Sequence, residues 1–293
     1  MIEMQLLGPM HIAGHGGRLT APDLGGTKLP QLAQMLALDL GHPLSKDLIA
    51  DRLWEGRPPA SYLATIESYV CVLRRRLGLV GGRRGPLATT SHGYVLDADQ
   101  VRVDVIEARA LLRAGGVHVS RALPMLSGEL LADQPFATWA AEARDTWDAL
   151  VVDSCTRAAH EASGRGDFEQ AVPLAREASR RGYLCEPAVH ELMRALAGVG
   201  DRVAALRAYE VLRAAMLDEL ALEPEENTQA LYLTILRAGL RSAPSTTTTS
   251  SSARDEISAL LQLLRRALEA QKGPVVDLPS MHEVGQLLMA RAG

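Results

Sequence analysis

Between Lys46 and Leu96 the apolar positions follow a helical period, then break, then follow it again. Leu48, Ile49, Leu53 and Trp54 mark one face of a helix that Ser45 can cap, and Gly56, Pro58 and Pro59 end it. Leu63, Ile66, Val70, Leu73 and Leu77 then recur at spacings of 3, 4, 3 and 4, a core-facing seam predicting a helix from about Ala60 to Leu77. At ~100° per residue the opposite face carries Ser61, Thr65, Ser68, Val72, Arg75 and Arg76. Alternation at Leu87–Ser91 and Tyr94–Asp97 predicts a hairpin, with His92-Gly93 in a turn where glycine supplies a positive φ.

The flanking patterns are different in kind. MQLLG, MHIAG and GHGGRLT read as three short strands separated by Pro9 and a glycine-rich turn. From Thr27 the period lengthens: Leu32, Met35, Leu36 and Leu40 share a helical face that Gly41-His42-Pro43 terminates. Beyond Asp104 the chain is helical in pattern to about Leu240. Within it Gly166-Asp167 and four further residues to Ala171 echo Gly200-Asp201 and four further residues to Ala205, an offset of 34 residues, the tetratricopeptide period. Alanines 171 and 205 suit places where paired helices approach closely. Residues 242–254 are a low-complexity Ser/Thr stretch, read as a flexible linker. Ile257, Leu260, Leu261, Leu264 and Leu268 give the tail at 255–293 an amphipathic helix, which suits packing on the body or docking of a partner.

The fold class is therefore mainly α with an α+β N-terminal part: residues 1–97 a winged helix-turn-helix domain, residues 98–241 an all-helical tetratricopeptide-like domain. Charge sharpens this division. The whole chain is net −4, yet residues 1–97 hold 10 Lys/Arg against 8 Asp/Glu, while residues 98–293 hold 21 against 27. From Arg57 to Arg84 six arginines face Glu67 alone, so positive charge is concentrated where a nucleic acid would lie. Such a unit lays its last helix in the major groove, with short side chains first and long donors behind. Thr65, Ser68, Val72, Arg75 and Arg76 suit that face, with Tyr69 on its flank. Arg74 stands nearer the seam, placed to snorkel to the backbone or meet an acid. Thr89, Thr90, His92, Gly93 and Tyr94 form the wing, while Lys28 and Lys46 lie at helix N-termini that favour phosphate.

Other chemistries find little support. His11 and His15 fall in a strand and a turn, and there is no Ser/His/Asp order, metal-ligand cluster or phosphate loop, so neither catalysis nor a cofactor is expected. Cys71, Cys155 and Cys185 are odd in number and widely spaced; they read as buried or surface thiols in a reducing cytoplasm. The N-terminus lacks a signal-peptide layout, and no apolar run approaches the ~18 residues of a membrane span. A protein-binding scaffold is the main alternative, but it leaves the basic helix and wing without a task.

Three N-terminal segments, LIADRLWEGRPPA, IESYVCVLRRRLG and TSHGYVLD, resemble the OmpR-type DNA-binding domain of the SARP family, the Streptomyces antibiotic regulatory proteins. VRVDVIEARALLRAG, LSGELLADQPFATWAAEARD and the run from DRVAALRAYE to LYLTIL resemble the family's bacterial transcriptional activation domain. The likeness covers about residues 1–240. It implies a nucleoid-associated cytoplasmic activator that binds direct repeats near a promoter's −35 element as a side-by-side homodimer. It also implies contact with the sigma factor and core subunits of RNA polymerase holoenzyme, and control of a secondary-metabolite cluster. A repressor using the same domain differs only in where its operator lies. Cys71 and Val72 depart from the family's more polar pattern, and Val72 can meet a thymine methyl. No Walker-type ATPase run or receiver-domain layout is present, so abundance, or something bound to the helical half, would set activity.

Overall fold

The computed structural model describes residues 1–14, 17–79 and 85–241. His15, Arg83, Arg84, the expected linker at 242–254 and the expected tail at 255–293 lie outside the described residues. The chain starts with three short antiparallel strands, β1 (Ile2–Gln5), β2 (His11–Gly14) and β3 (Gly17–Thr20). Two helices follow, α1 (Ala21–Leu24) and α2 (Lys28–Leu38). The two-residue strand β4 (Leu44–Ser45) leads into α3 (Lys46–Trp54) and α4 (Tyr62–Arg76). Strands β5 (Leu87–Thr89) and β6 (Gly93–Leu96) form the hairpin, and β6 also pairs with β4. The next strand, β7 (Val101–Val103), returns to lie parallel to β1, giving the sheet order β3-β2-β1-β7.

From there the described chain is helical: α5 (Asp104–Ala114), α6 (Val117–Ala122), two 3-10 turns, α7 (Ala141–Gly164), α8 (Phe168–Arg181), α9 (Glu186–Gly198), α10 (Arg202–Leu220) and α11 (Glu226–Arg241). The 34-residue echo is a repeated corner. Gly166 and Gly200 both take positive φ, of 76° and 90°. Asp167 and Asp201 then cap α8 and α10 through Gln170 N and Ala204 N, satisfying one free donor at each helix start. Ala171 and Ala205 are fully buried, as close helix approach requires. Gly198 is also dictated by packing, since a Cβ there would overlap the Phe168 ring.

Residues Met1–Ile235 form one compact unit with a continuous apolar core; of the remaining unit only the end of α11 is described. Trp147, Ile66, Leu53 and Leu6 are all within 1% of complete burial. Two backbone hydrogen bonds, which together make one antiparallel bridge, join the N-terminal sheet to the segment before α7. Leu7 and Leu130 face each other, with Gly8 N donating to Glu129 O and Leu131 N donating to Leu6 O. The Asp104 carboxylate accepts from Leu6 N and Leu7 N at 2.8 and 3.0 Å. Two side-chain contacts, Gln31–Gln134 and Thr138–Glu55, add to the same junction.

Candidate nucleic-acid interface

Ser45 caps α3 as its position predicts, its hydroxyl accepting from Leu48 N at 3.1 Å. The helix buries Ile49, Ala50 and Leu53, whereas Leu48, expected in the buried stripe, is exposed. Glu55, in the left-handed region, ends α3, and an exposed loop through Arg57, Pro58 and Pro59 leads to α4. Two polar contacts fix the angle between the helices. Tyr62 donates to Asp47 at 2.7 Å, and Lys46 pairs with Glu67 at 2.6 Å while standing over the Tyr94 ring. The contact with Glu67 holds the Lys46 ammonium above its ordinary value.

The seam of α4 is shorter than the spacing suggests. Ile66, Val70, Leu73 and Leu77 are buried, but Leu63 is 46% exposed, because the first turn of α4 projects past the core. Three buried apolar side chains of α4, each worth about 1.5–3 kcal/mol, anchor the helix. The outward line is Ala64, Ser68, Cys71 and Arg75, all exposed. Thr65 and Val72, expected on that line, are half-buried on its flank, as is Tyr69 against the core. The Thr65 hydroxyl donates back to Ser61 O at 3.1 Å. No other residue of the described chain bonds to the Arg75 side chain.

Several residues expected to contact DNA are spent inside the protein. Arg74 donates through Nε and Nη2 to Leu87 O, at 3.1 and 2.9 Å, and through Nη2 to Thr89 Oγ1 at 2.8 Å. It thereby fastens strand β5 against the C-terminal half of α4. Arg76 reaches Asp23 O at the end of α1. Lys28, at the start of α2, donates to Leu53 O, so both N-terminal lysines are engaged by the protein. Tyr94 is 3% exposed and belongs to the core below the wing. Gly93 does not carry a positive φ. It is required because a Cβ would overlap the Leu44 carbonyl where β4 and β6 meet. The turn closes through Thr90, whose N–H donates to Gly93 O and whose hydroxyl accepts from Gly93 N. Ser91 and His92 are left exposed at the wing tip.

Ala64 and Cys71 complete the outward face, where the spacing had not set them, and Tyr62 acts as a clamp. The first two follow from the helical angle once the true seam is centred on Ile66–Leu77; the clamp leaves no sequence signal. Among the described residues no group of His, Cys, Asp and Glu is placed to hold a metal ion. No described helix is long and apolar enough to cross a membrane.

A three-stranded wing pinned beside an outward helix, ahead of stacked helical hairpins, defines a winged helix-turn-helix protein with a tetratricopeptide-like helical half. A family model for the bacterial transcriptional activator domain matches residues 96–236. The regulatory protein DnrI of Streptomyces peucetius is 32% identical over 265 residues, covering 81% of this chain and 93% of that protein. The transcriptional regulatory protein MoaR1 of Mycobacterium tuberculosis is 30% identical, covering 80% of this chain and 79% of its own length. The chain belongs to the SARP family of transcriptional regulators. Its fold is also that of Mycobacterium tuberculosis EmbR, solved in complex with a low affinity phosphopeptide. The TM-score is 0.57 at 22% identity, covering 90% of this chain and 70% of that one.

Proposed function

We propose that this regulator is a sequence-specific activator that binds direct repeats near promoter −35 elements as a side-by-side homodimer and recruits RNA polymerase holoenzyme to a secondary-metabolite cluster. Residues 1–97 bind the DNA and residues 98–241 meet the polymerase. The observation that carries the reading is the outward face of α4, small at Ala64 and Ser68 and cationic at Arg75, which has no partner among the described residues, beside a wing held by Arg74. Small side chains let the helix backbone enter the major groove, and the guanidinium then reaches a base edge or a phosphate. Ser68, Cys71 and Arg75 read the groove with Thr65 and Val72 at its edge. Arg57 and the wing tip at Ser91–His92 meet the backbone of the duplex. Arg74, Arg76, Lys28, Lys46, Gly93 and Tyr94 hold the reading elements in place.

The test is genome-wide pull-down of DNA with the purified protein, followed by footprinting and in-vitro transcription. Paired protected repeats beside the −35 element and increased transcript are expected, with affinity falling steeply as salt rises because phosphate contacts release counterions. Protection overlapping the transcription start with reduced transcript would convert the reading to a repressor. A flat salt response with no recovered sites would overturn it in favour of a scaffold.

A further inference from the structure

The helical half contains a groove of about 970 Å³ between α7, the α8–α9 corner and the start of α11. Its volume lies at the top of the ~300–1,000 Å³ range of small-molecule sites. One wall is apolar, contributed by Ala149, Val152, Cys185 and Pro187. Thr156 also lines it.

Charge is unevenly compensated around this space. Of the lining carboxylates, Asp148 pairs with Arg181, Asp153 with Arg157, and Glu191 with Arg194. Glu186 and Glu225 have no cationic partner among the described residues. They stand together at one end, where Glu186 Oε1 accepts from Glu225 N at 2.7 Å. His190 and Thr228, bonded to each other at 3.3 Å, also line the groove. The groove therefore offers an apolar bed and, at one end, two carboxylates with no cationic side chain beside them among the described residues.

We propose that this groove binds an organic cation: a small molecule with an apolar body lying on Val152 and Cys185 and an amine held by Glu186 and Glu225. Charge complementarity selects an amine over an acid: helix N-termini favour the two carboxylates, but no cationic side chain among the described residues pairs them, and an acid placed there would meet like charge. The apolar wall requires a body larger than a simple polyamine or metal ion can provide. The site is separate from the DNA-reading face, and its test uses no DNA, so its failure would leave the activator reading standing.

Fluorescence titration of the full chain with dansylcadaverine, an aromatic primary amine, measures the binding directly, with uncharged dansylamide as the control. Saturable, blue-shifted binding is expected, roughly tenfold tighter for the amine, as for one charge-assisted contact. The double variant Glu186→Gln, Glu225→Gln keeps the acceptor for Glu225 N, so it tests charge alone; it should erase the amine's advantage. Ala149→Trp places bulk in the groove from an exposed helix position and should block both probes while circular dichroism stays helical. Equal affinity for the two probes, no saturation by the amine at millimolar concentration, or full binding in Ala149→Trp would each overturn the proposal. Displacement of the probe by an arginine-rich peptide at far lower concentration than by free amines would also overturn it, assigning the groove to a protein segment.

Discussion

Arg74 and Arg75 are separated by about 100° around α4, and that rotation gives them different work. Arg74 makes three bonds to β5, two of them to a backbone carbonyl. Arg75 makes none with the described residues and is exposed. Arg75→Ala should leave thermal stability unchanged and weaken operator binding by about 1–3 kcal/mol. Arg74→Ala should instead lower stability by about 1–3 kcal/mol, because Leu87 O and Thr89 lose a charged donor, and should impair DNA binding through a loosened wing. Melting curves and gel shifts on the two variants separate these roles; a destabilised Arg75→Ala with intact affinity would reverse them. The three adjacent arginines were readable as a cationic helix end. The spacing already set Arg74 near the seam and Arg75 and Arg76 outward; that Asp23 O, 53 residues away, engages Arg76 was decided by the tertiary structure.

Glu129 illustrates a residue whose chemistry is pH-dependent. Its hydrogen bond from Arg180 holds the carboxyl below its ordinary value of 4.5. A lowered carboxylate contributes stability that is complete above the unfolded value and is lost as pH falls through the folded one. Glu129→Gln should therefore be less stable than the wild type at pH 6 and above, and the gap should close as pH drops below 4.5. Urea denaturation at several pH values checks this. Both side chains are largely solvated, so the effect is small.

At the scale of elements, the repeated corner is the clearest case of local sequence determining local structure. Gly-Asp gives the positive φ and then the cap, and the same φ and ψ follow at Asp167 and Asp201, −86° and 68° against −83° and 66°. Asp167→Ala and Asp201→Ala should each cost about 0.5–2 kcal/mol, and the double variant should be close to additive because the corners share no partner. Chemical denaturation of all three variants measures this; a strongly non-additive double would show that the corners are coupled. The wing was legible as a hairpin but not as a three-stranded element. β4 has only two residues, too few for a period, and it exists because β6 lies against it. That contact also accounts for Gly93, which a turn rule had assigned to positive φ.

For the whole molecule, Arg181 is the residue that draws distant segments together. Its side chain is 1% exposed, pairs with Glu177 and Asp148, and donates to Leu126 O and Gly128 O at 2.7 and 3.0 Å. Those carbonyls precede the segment that bridges to Leu6–Gly8 of the N-terminal sheet. Arg181→Met would leave buried acceptors and carboxylates short of a partner, at a cost of about 3–5 kcal/mol. Because the core runs unbroken from Ile2 to Ile235, the loss should shift one cooperative transition for both halves. Tryptophan fluorescence and far-ultraviolet dichroism should therefore report the same midpoint; two separated transitions would show that the halves unfold independently.

The sequence by itself determined the features that depend on neighbours along the chain. These were the helical periods, the Ser45 and Gly-Asp caps, the hairpin, the concentration of arginine ahead of residue 85, and the family. Each follows from local sterics, capping and apolar spacing, which a few consecutive residues specify. Only the tertiary structure decided which cations remain free. Lys28, Lys46, Arg74 and Arg76 meet acids or carbonyls 13 to 53 residues away, and Arg75 meets none among the described residues. A long flexible side chain is committed by whatever acceptor packing brings within reach, and spacing along a helix carries no record of that acceptor. The same reason hid the groove between α7, α9 and α11: its carboxylates are scattered over nearly eighty residues from Asp148 to Glu225, and only stacking of the helices turns them toward one space.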